Sequence, residues 1–411
     1  MSVVDVREKI PILKENSPRL VLGHIMRAGS ISRADIARQT GLHRSTITRI
    51  VSALLAEGFV EEVGEGDIEL GRRPVMLQLA ADSVHVIGIA IESTFVAGVV
   101  ANLNAQIREK VQVPLQDSSR DAVMDNVYFV IDSLLEGARK QGFSVLGIGV
   151  AMHGIVNSDQ GISVFAPAIE WRDEPLAANI QSRYRLPVRM ENNANAMALG
   201  EWWFGNGQTV ENVLAVKVGS TIGSGVILGG RLFPGTDYSA GEIGHLTVLP
   251  GGPRCKCGNL GCLETVASTD AILKRGRELL QKGEAPSLME YAPGEPGRLN
   301  FQSLYQATLA HDPIALRLWE EGAAYLGLAL SYTINILNPA KVLIGGDIFP
   351  VLDYILPKVR ETVGIQVIQT LKNHLRLEPV GLGQDSVTIG AATLLLQDIF
   401  ELPKANGWDR T

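Results

Sequence analysis

A chain of 411 residues has room for two or three domains, and 46% hydrophobic with 20% charged residues fits a soluble globular protein, not a disordered or fibrous one. No apolar run reaches the length of a membrane span, Met1 to Pro18 lacks a signal-peptide core, and three cysteines do not suggest a disulfide framework, so a cytoplasmic protein without membrane insertion is expected. The net charge of −7 is uneven: residues 17–60 carry six arginines against Asp35 and Glu57, so only the N-terminal head is suited to meet a polyanion.

Ser17 to Ala28 reads as a helix, with Ser17 as N-cap, Pro18 in the first turn, Leu20, Ile25 and Met26 available to a core, and Gly29 as its stop. Ser32 caps a short helix over Arg33–Thr40 that Gly41 ends. Leu42 to Glu57 follows, with Ile47, Ile50, Val51, Leu54 and Leu55 at helical spacing. Two helices about a glycine turn, the second amphipathic, form a helix-turn-helix pattern. Its apolar stripe faces inward and leaves Arg44, Ser45, Thr46, Thr48 and Arg49 outward, hydroxyls and guanidinia suited to base edges and phosphates. Phe59–Val63 and Met76–Leu79 read as strands around Gly71-Arg72-Arg73-Pro74, where two arginines at a loop tip make a wing that can reach backbone or minor groove. The plainer alternative is a three-helix module with a solvated basic face; the ordered combination of glycine turn, basic helix and arginine wing favours DNA binding.

From Val84 the texture changes. Val84–Ala101, Leu146–Met152 and Val213–Val218 are apolar strand candidates, separated by helical patterns at Ala122–Gln141 and Glu174–Tyr184, which argues an α/β fold with mixed sheets. Between Gly241 and Glu264 lie Gly-Glu-Ile-Gly-His245 and all three cysteines, Cys255, Cys257 and Cys262. Three thiolates and an imidazole are a full tetrahedral set for one structural Zn2+, soft ligands that magnesium and calcium do not favour. Unrelated free thiols are the alternative, but their clustering within eight residues speaks for the metal.

Gly-Glu-Ile-Gly-His followed by Cys-x-Cys-Gly-x-x-Gly-Cys-x-Glu resembles the signature of the ROK family of repressors, open reading frames and sugar kinases. The resemblance runs from Val84 to about Leu396, and the head is similar to the winged helix-turn-helix of ROK repressors. It implies a two-lobed actin/hexokinase-like (ribonuclease H-like) ATPase fold behind a winged helix-turn-helix. The expected division is 1–80 for the head, 84–193 with a C-terminal helix in 390–411 for one lobe, and 194–390 for the zinc-bearing lobe.

The same resemblance tests the kinase chemistry. Where ROK kinases place a catalytic aspartate, Glu191-Asn192-Asn193-Ala194-Asn195-Ala196 has Asn193, a neutral amide that cannot take a proton at neutral pH. The first phosphate loop reads Ala90-Ile-Glu92-Ser93-Thr94 in place of Asp-x-Gly-Gly-Thr, and the second reads Gly219-Ser-Thr221-Ile-Gly223 with a glycine lost. Gly345-Gly346-Asp347 keeps the glycine pair near which the kinases hold adenosine. By resemblance, Asn192, Glu242, His245 and Glu264 fall on sugar-contacting positions and Asn193 could join them, while the family's Pro-Asn-Leu-Gly-Trp reads Pro167-Ala168-Ile169-Glu170-Trp171. The expectation is a non-catalytic, sugar-responsive repressor of carbohydrate-utilisation genes, similar to xylose- and glucose-responsive ROK repressors. It would act as a homodimer or homotetramer on pseudo-palindromic operator DNA with a monosaccharide effector. The competing readings are an ATP-dependent sugar kinase with a regulatory head, and a regulator whose body docks a protein.

Overall fold

The computed structural model describes residues 10–65, 73–167, 169–292 and 294–401. The head is built from α1 (Asn16–Ala28), α2 (Arg33–Thr40) and α3 (Arg44–Ala56), with β1 (Ile31–Ser32), β2 (Val60–Glu65) and β3 (Val75–Leu79) in a sheet of order β1-β3-β2. Ser32 caps α2 as expected, accepting from the Asp35 N–H, and Gly41 closes it in the left-handed region. Helix α1 starts at Asn16 with Glu15 as cap, and it buries Val21, Leu22 and Ile25, whereas Leu20 and Met26 are only half-buried. Helix α3 starts at Arg44 because the His43 imidazole takes the Ser45 N–H and ends the turn there.

The linker Ala80–Ser83 leads into β4 (His85–Ile91), β5 (Phe95–Asn102) and β6 (Ile107–Pro114), followed by α4 (Arg120–Lys140). The apolar run from Val84 is therefore two strands, split by a tight turn in which the Glu92 N–H donates to Phe95. Asp82 anchors the linker to the lobe: Arg108 donates to it at 2.7 and 2.6 Å and Asn102 at 2.9 Å. Next come β7 (Val145–Met152), β8 (Ile155–Asn157), β9 (Ile162–Ala166), β10 (Trp171–Glu174), α5 (Leu176–Tyr184) and β11 (Val188–Asn192). Glu174 ends a strand instead of opening the helix, since Pro175 holds its predecessor extended.

The order β11-β7-β4-β5-β6 makes a mixed sheet with α4 against it, its core formed by Ile87, Ile89, Val100, Val130, Ile148 and Val150. After α6 (Asn193–Phe204) come β12 (Val213–Val218), β13 (Ile222–Leu228), β14 (Arg231–Leu232), α7 (Glu264–Ala267) and α8 (Thr269–Gln281). They are followed by α9 (Phe301–Leu309), α10 (Pro313–Leu337), β15 (Lys341–Gly345), α11 (Leu352–Gln366), α12 (Gln369–Lys372) and β16 (Arg376–Pro379). The second sheet runs β14-β13-β12-β15-β16, and α10 and α11 pack on each other over a core that includes Trp319 and Leu330.

The last helix, α13 (Ser386–Ile399), returns to the first sheet. It lies so close to β4 and β7 that a side chain at Gly88 or Gly149 would run into the carbonyls of Thr388 or Ala391. By compactness the chain divides into Met1–Ala196 with Val387–Thr411, which includes the head, and Met197–Ser386. No helix among the described residues is long and apolar enough to cross a membrane.

Candidate functional site

In the second unit the chain from Gly241 to Glu264 folds back on itself. His245 ends a short 3-10 turn over Ile243–His245, and isolated bridges pair Thr247 with Cys262 and Arg254 with Leu260. Gly261, with φ +69°, sits where any side chain would strike the Leu249 carbonyl, so glycine is required for the fold-back. The result brings His245, Cys255, Cys257 and Cys262 together, with all ligand atoms within 4.8 Å of one another.

Tetrahedral zinc, with Zn–S of about 2.3 Å and Zn–N of about 2.0–2.1 Å, requires donors roughly 3.5–3.8 Å apart. Cys255 Sγ lies 3.6 Å from His245 Nδ1 and Cys257 Sγ lies 3.7 Å from Cys262 Sγ, which fits. Burial and the two neighbouring thiols push Cys262 up to about 12, so a divalent ion is what would make it a thiolate at neutral pH. The donor set thus fits a structural metal ion. It leaves His245 Nε2 turned to Glu242, 3.7 Å from Oε2.

Glu242 and Glu264 belong to the same wall. Partial burial raises the Glu242 carboxyl, His245 opposes the rise and Glu264 adds to it. One oxygen of Glu264 accepts the Ile222 N–H at 3.2 Å, which fixes the side chain against the β12–β13 turn.

In the first unit, the two asparagines at the β11–α6 junction divide their work. Asn192 Oδ1 caps α6, accepting the N–H of Ala194 at 2.8 Å and of Asn195 at 3.3 Å, while its Nδ2 donates to the Gly154 carbonyl at 2.8 Å. Asn192 is thus largely committed to its own turn. Asn193 is the opposite case: it is 3% exposed, and both its amide atoms are buried without a partner among the described residues. A buried amide with neither bond made is costly, so this position is suited to a ligand. Glu191 is buried against the Asn192 N–H and Asn195 Nδ2, and desolvation raises its carboxyl. Sequence reasoning passed over Ser163 and the indole N–H of Trp171, which are also buried and unpartnered among the described residues. No motif marks the serine, and the tryptophan was legible only as a loop landmark.

The phosphate-loop positions are occupied by ordinary turns. Residues Ala90 and Ile91 still belong to β4, and Glu92 is buried at the hairpin. In the second loop the Gly219 N–H is taken by the Thr221 carbonyl at 3.0 Å, and Asp347 packs its carboxylate directly on Gly219. A fixed negative group there opposes an anion.

On the head, Arg44, Ser45, Thr48 and Arg49 are exposed on α3 opposite the buried Ile47, Ile50, Val51 and Leu54; Thr46 is half-buried at the edge. The Thr48 hydroxyl donates to the Arg44 carbonyl at 2.9 Å, and Ser45 Oγ lies 2.7 Å from the capping His43. Arg73 is exposed, and Arg72 lies outside the described residues.

A helix-turn-helix head with its own small sheet, joined to an α/β body of two five-stranded sheets and a Cys3His cluster, defines a protein that couples a DNA-reading type of module to an actin/hexokinase-like fold. The chain belongs to the ROK family, whose model matches residues 86–398, and a MarR family model matches residues 19–67. The xylose repressor of Bacillus subtilis (strain 168) is 31% identical over 399 residues, 97% of this chain and 99% of that one. A glucokinase of Halalkalibacterium halodurans is 31% identical over 323 residues, covering 78% of this chain and 97% of its own, so the match leaves out about a fifth of this chain. Among solved structures, a ROK family transcriptional regulator described as a homologue of the E. coli MLC protein superposes with a TM-score of 0.80 at 28% identity, over 94% of this chain and 97% of its own.

Proposed function

We propose that this protein is a sugar-responsive transcriptional repressor of carbohydrate-utilisation genes that has no phosphoryl-transfer activity. The observation that carries the reading is Asn193: a buried amide with both atoms unpartnered, at the position where ROK kinases hold their base. It can bind a hydroxyl and cannot deprotonate one, a loss of about two to four orders of magnitude in rate. The near full-length match to a xylose repressor supports the same conclusion.

In this reading the candidate monosaccharide contacts are Asn193, with a spare Asn192 N–H, in the first unit, and Glu242, Glu264 and His245 Nε2 in the second. His245 Nδ1 and the three cysteines hold a structural zinc that orders the second group. A homodimer presents two copies of α3 to successive major grooves of a pseudo-palindromic operator, with Arg44, Ser45, Thr48 and Arg49 as contacts, Thr46 at the edge and Arg72 and Arg73 from the wing. Sugar shifts the DNA equilibrium by its differential affinity for two arrangements of the dimer.

The match to a glucokinase supports the competing reading, a kinase with a DNA-binding head. A gel shift on DNA upstream of the protein's own gene, with D-xylose, D-glucose and N-acetylglucosamine, tests the first, and coupled ADP release with the same sugars tests the second. The expected result is a specific complex whose affinity changes at least about fivefold with one sugar, with no ADP release above background. Turnover at about 1 per second or faster, or no retained duplex at low salt, would overturn the repressor reading.

A further inference from the structure

The C-terminal end of α13 is tied to the head and to the lobe at adjacent residues. Arg19, in the first turn of α1, donates from Nη2 to the carbonyls of Gln397 at 2.9 Å and Phe400 at 3.2 Å. The Glu401 N–H returns a bond to the Arg19 carbonyl at 3.1 Å. These last carbonyls have no partner within a helix, and the helix dipole favours a cation beside them. Between the two contacted carbonyls, Asp398 accepts from Arg189 Nε at its Oδ2 (3.1 Å) and from Nη2 at its Oδ1 (3.3 Å). Arg189 lies on β11, the strand that ends at Asn192 and leads directly into Asn193.

The body of α13 cannot roll independently of the sheet, because Gly88 and Gly149 let its backbone rest directly on β4 and β7. A cleft of about 520 Å3 lies between Ile25 and Met26 of α1, Glu61 and Gln78 of the wing strands, and the linker at Ala80–Ser83. A helix seated on the sheet, its end bonded to α1, and a bidentate link to the strand that leads into Asn193 form a continuous path of contacts.

We infer that Arg19 is the positioning residue through which α13 transmits the state of the β11 end to the DNA-binding head. A ligand that pulls on Asn193 displaces β11, Arg189 carries the displacement to Asp398, and Arg19 carries it from the helix terminus to α1. The idea rests on the sugar-responsive reading for its purpose, although the coupling itself is a property of the ligand-free chain.

Hydrogen exchange on the full chain, in a cycle of Asp398→Asn, Arg19→Ala and the double variant, isolates the coupling. Asp398→Asn is expected to speed exchange of the α1 amides at least fivefold when Arg19 is present and less than twofold when it is alanine. Arg19→Lys, whose ammonium can reach the same carbonyls, should recover most of the effect. An equal response with and without Arg19, or no response at α1 at all, overturns the inference. Operator binding with D-xylose, D-glucose and N-acetylglucosamine then separates the two claims. A sugar effect that is at least about fivefold in the wild type and under twofold in Arg19→Ala supports both, and an equal sugar effect in the two overturns the relay. A coupled exchange cycle with no sugar effect in the wild type sinks the repressor reading and leaves the relay standing.

Discussion

Glu170 occupies a left-handed conformation at φ +55°, where the family loop carries glycine. A residue with a Cβ in that conformation costs roughly 1–2 kcal/mol relative to glycine. Glu170→Gly is therefore expected to raise the thermal midpoint by roughly 2–4 °C, measured by calorimetry; a lower midpoint would mean that the carboxylate makes a compensating contact. The neighbouring asparagines carry a second lesson at this scale. Asn192 and Asn193 are equivalent in composition, and both were read from the sequence as sugar contacts. Asn192 spends its oxygen on capping α6 and keeps one side-chain N–H, whereas Asn193 is left with no partner among the described residues, because the first residue of a helix and its cap point in different directions.

At the scale of elements, the Gly241–Glu264 segment contains little regular structure, and its shape is set by turns and two isolated bridges. Ile243, Val248 and Leu263 seat the segment in the core of the second unit, but the loop carrying Cys255 and Cys257 has little regular structure, the kind of segment that a metal ion stabilises. Chelation, or Cys262→Ser, is expected to lower the midpoint of the second unit by roughly 10 °C or more, with about one zinc per chain found by atomic absorption before treatment. Purified protein with no bound metal and an unchanged midpoint would refute the structural ion. Helix α3 illustrates the reliability of period: Ile47, Ile50, Val51 and Leu54 are all buried, as their spacing requires. Periodicity places its start at Leu42, two residues early, because a histidine N-cap is not among the usual capping signals.

For the whole molecule, the net charge of −7 on a chain with a basic head means that nucleic-acid affinity must come from local contacts, not from overall attraction. Each phosphate contact contributes about 0.9 to the slope of log affinity against log salt. The proposed homodimer would have two heads, so Arg44→Ala should reduce that slope by about 1.8 if Arg44 reaches a phosphate. A slope unchanged by the substitution would remove Arg44 from the backbone contacts.

The division between what could be read and what could not follows the range of the interactions. Helical and strand periods, glycine stops and the Ser32 cap depend on neighbours a few residues away, so the head and the order of α/β elements were legible in the chain itself. The His245, Cys255, Cys257 and Cys262 cluster was legible as well, because its residues lie within a short segment and cysteine is rare here. Tertiary structure alone decided which asparagine remains unpartnered, that a carboxylate from Asp347 rests on Gly219, and that Arg19 meets the carbonyls of Gln397 and Phe400. Those contacts join residues far apart in sequence through single hydrogen bonds or close approaches, which leave no periodic trace along the chain.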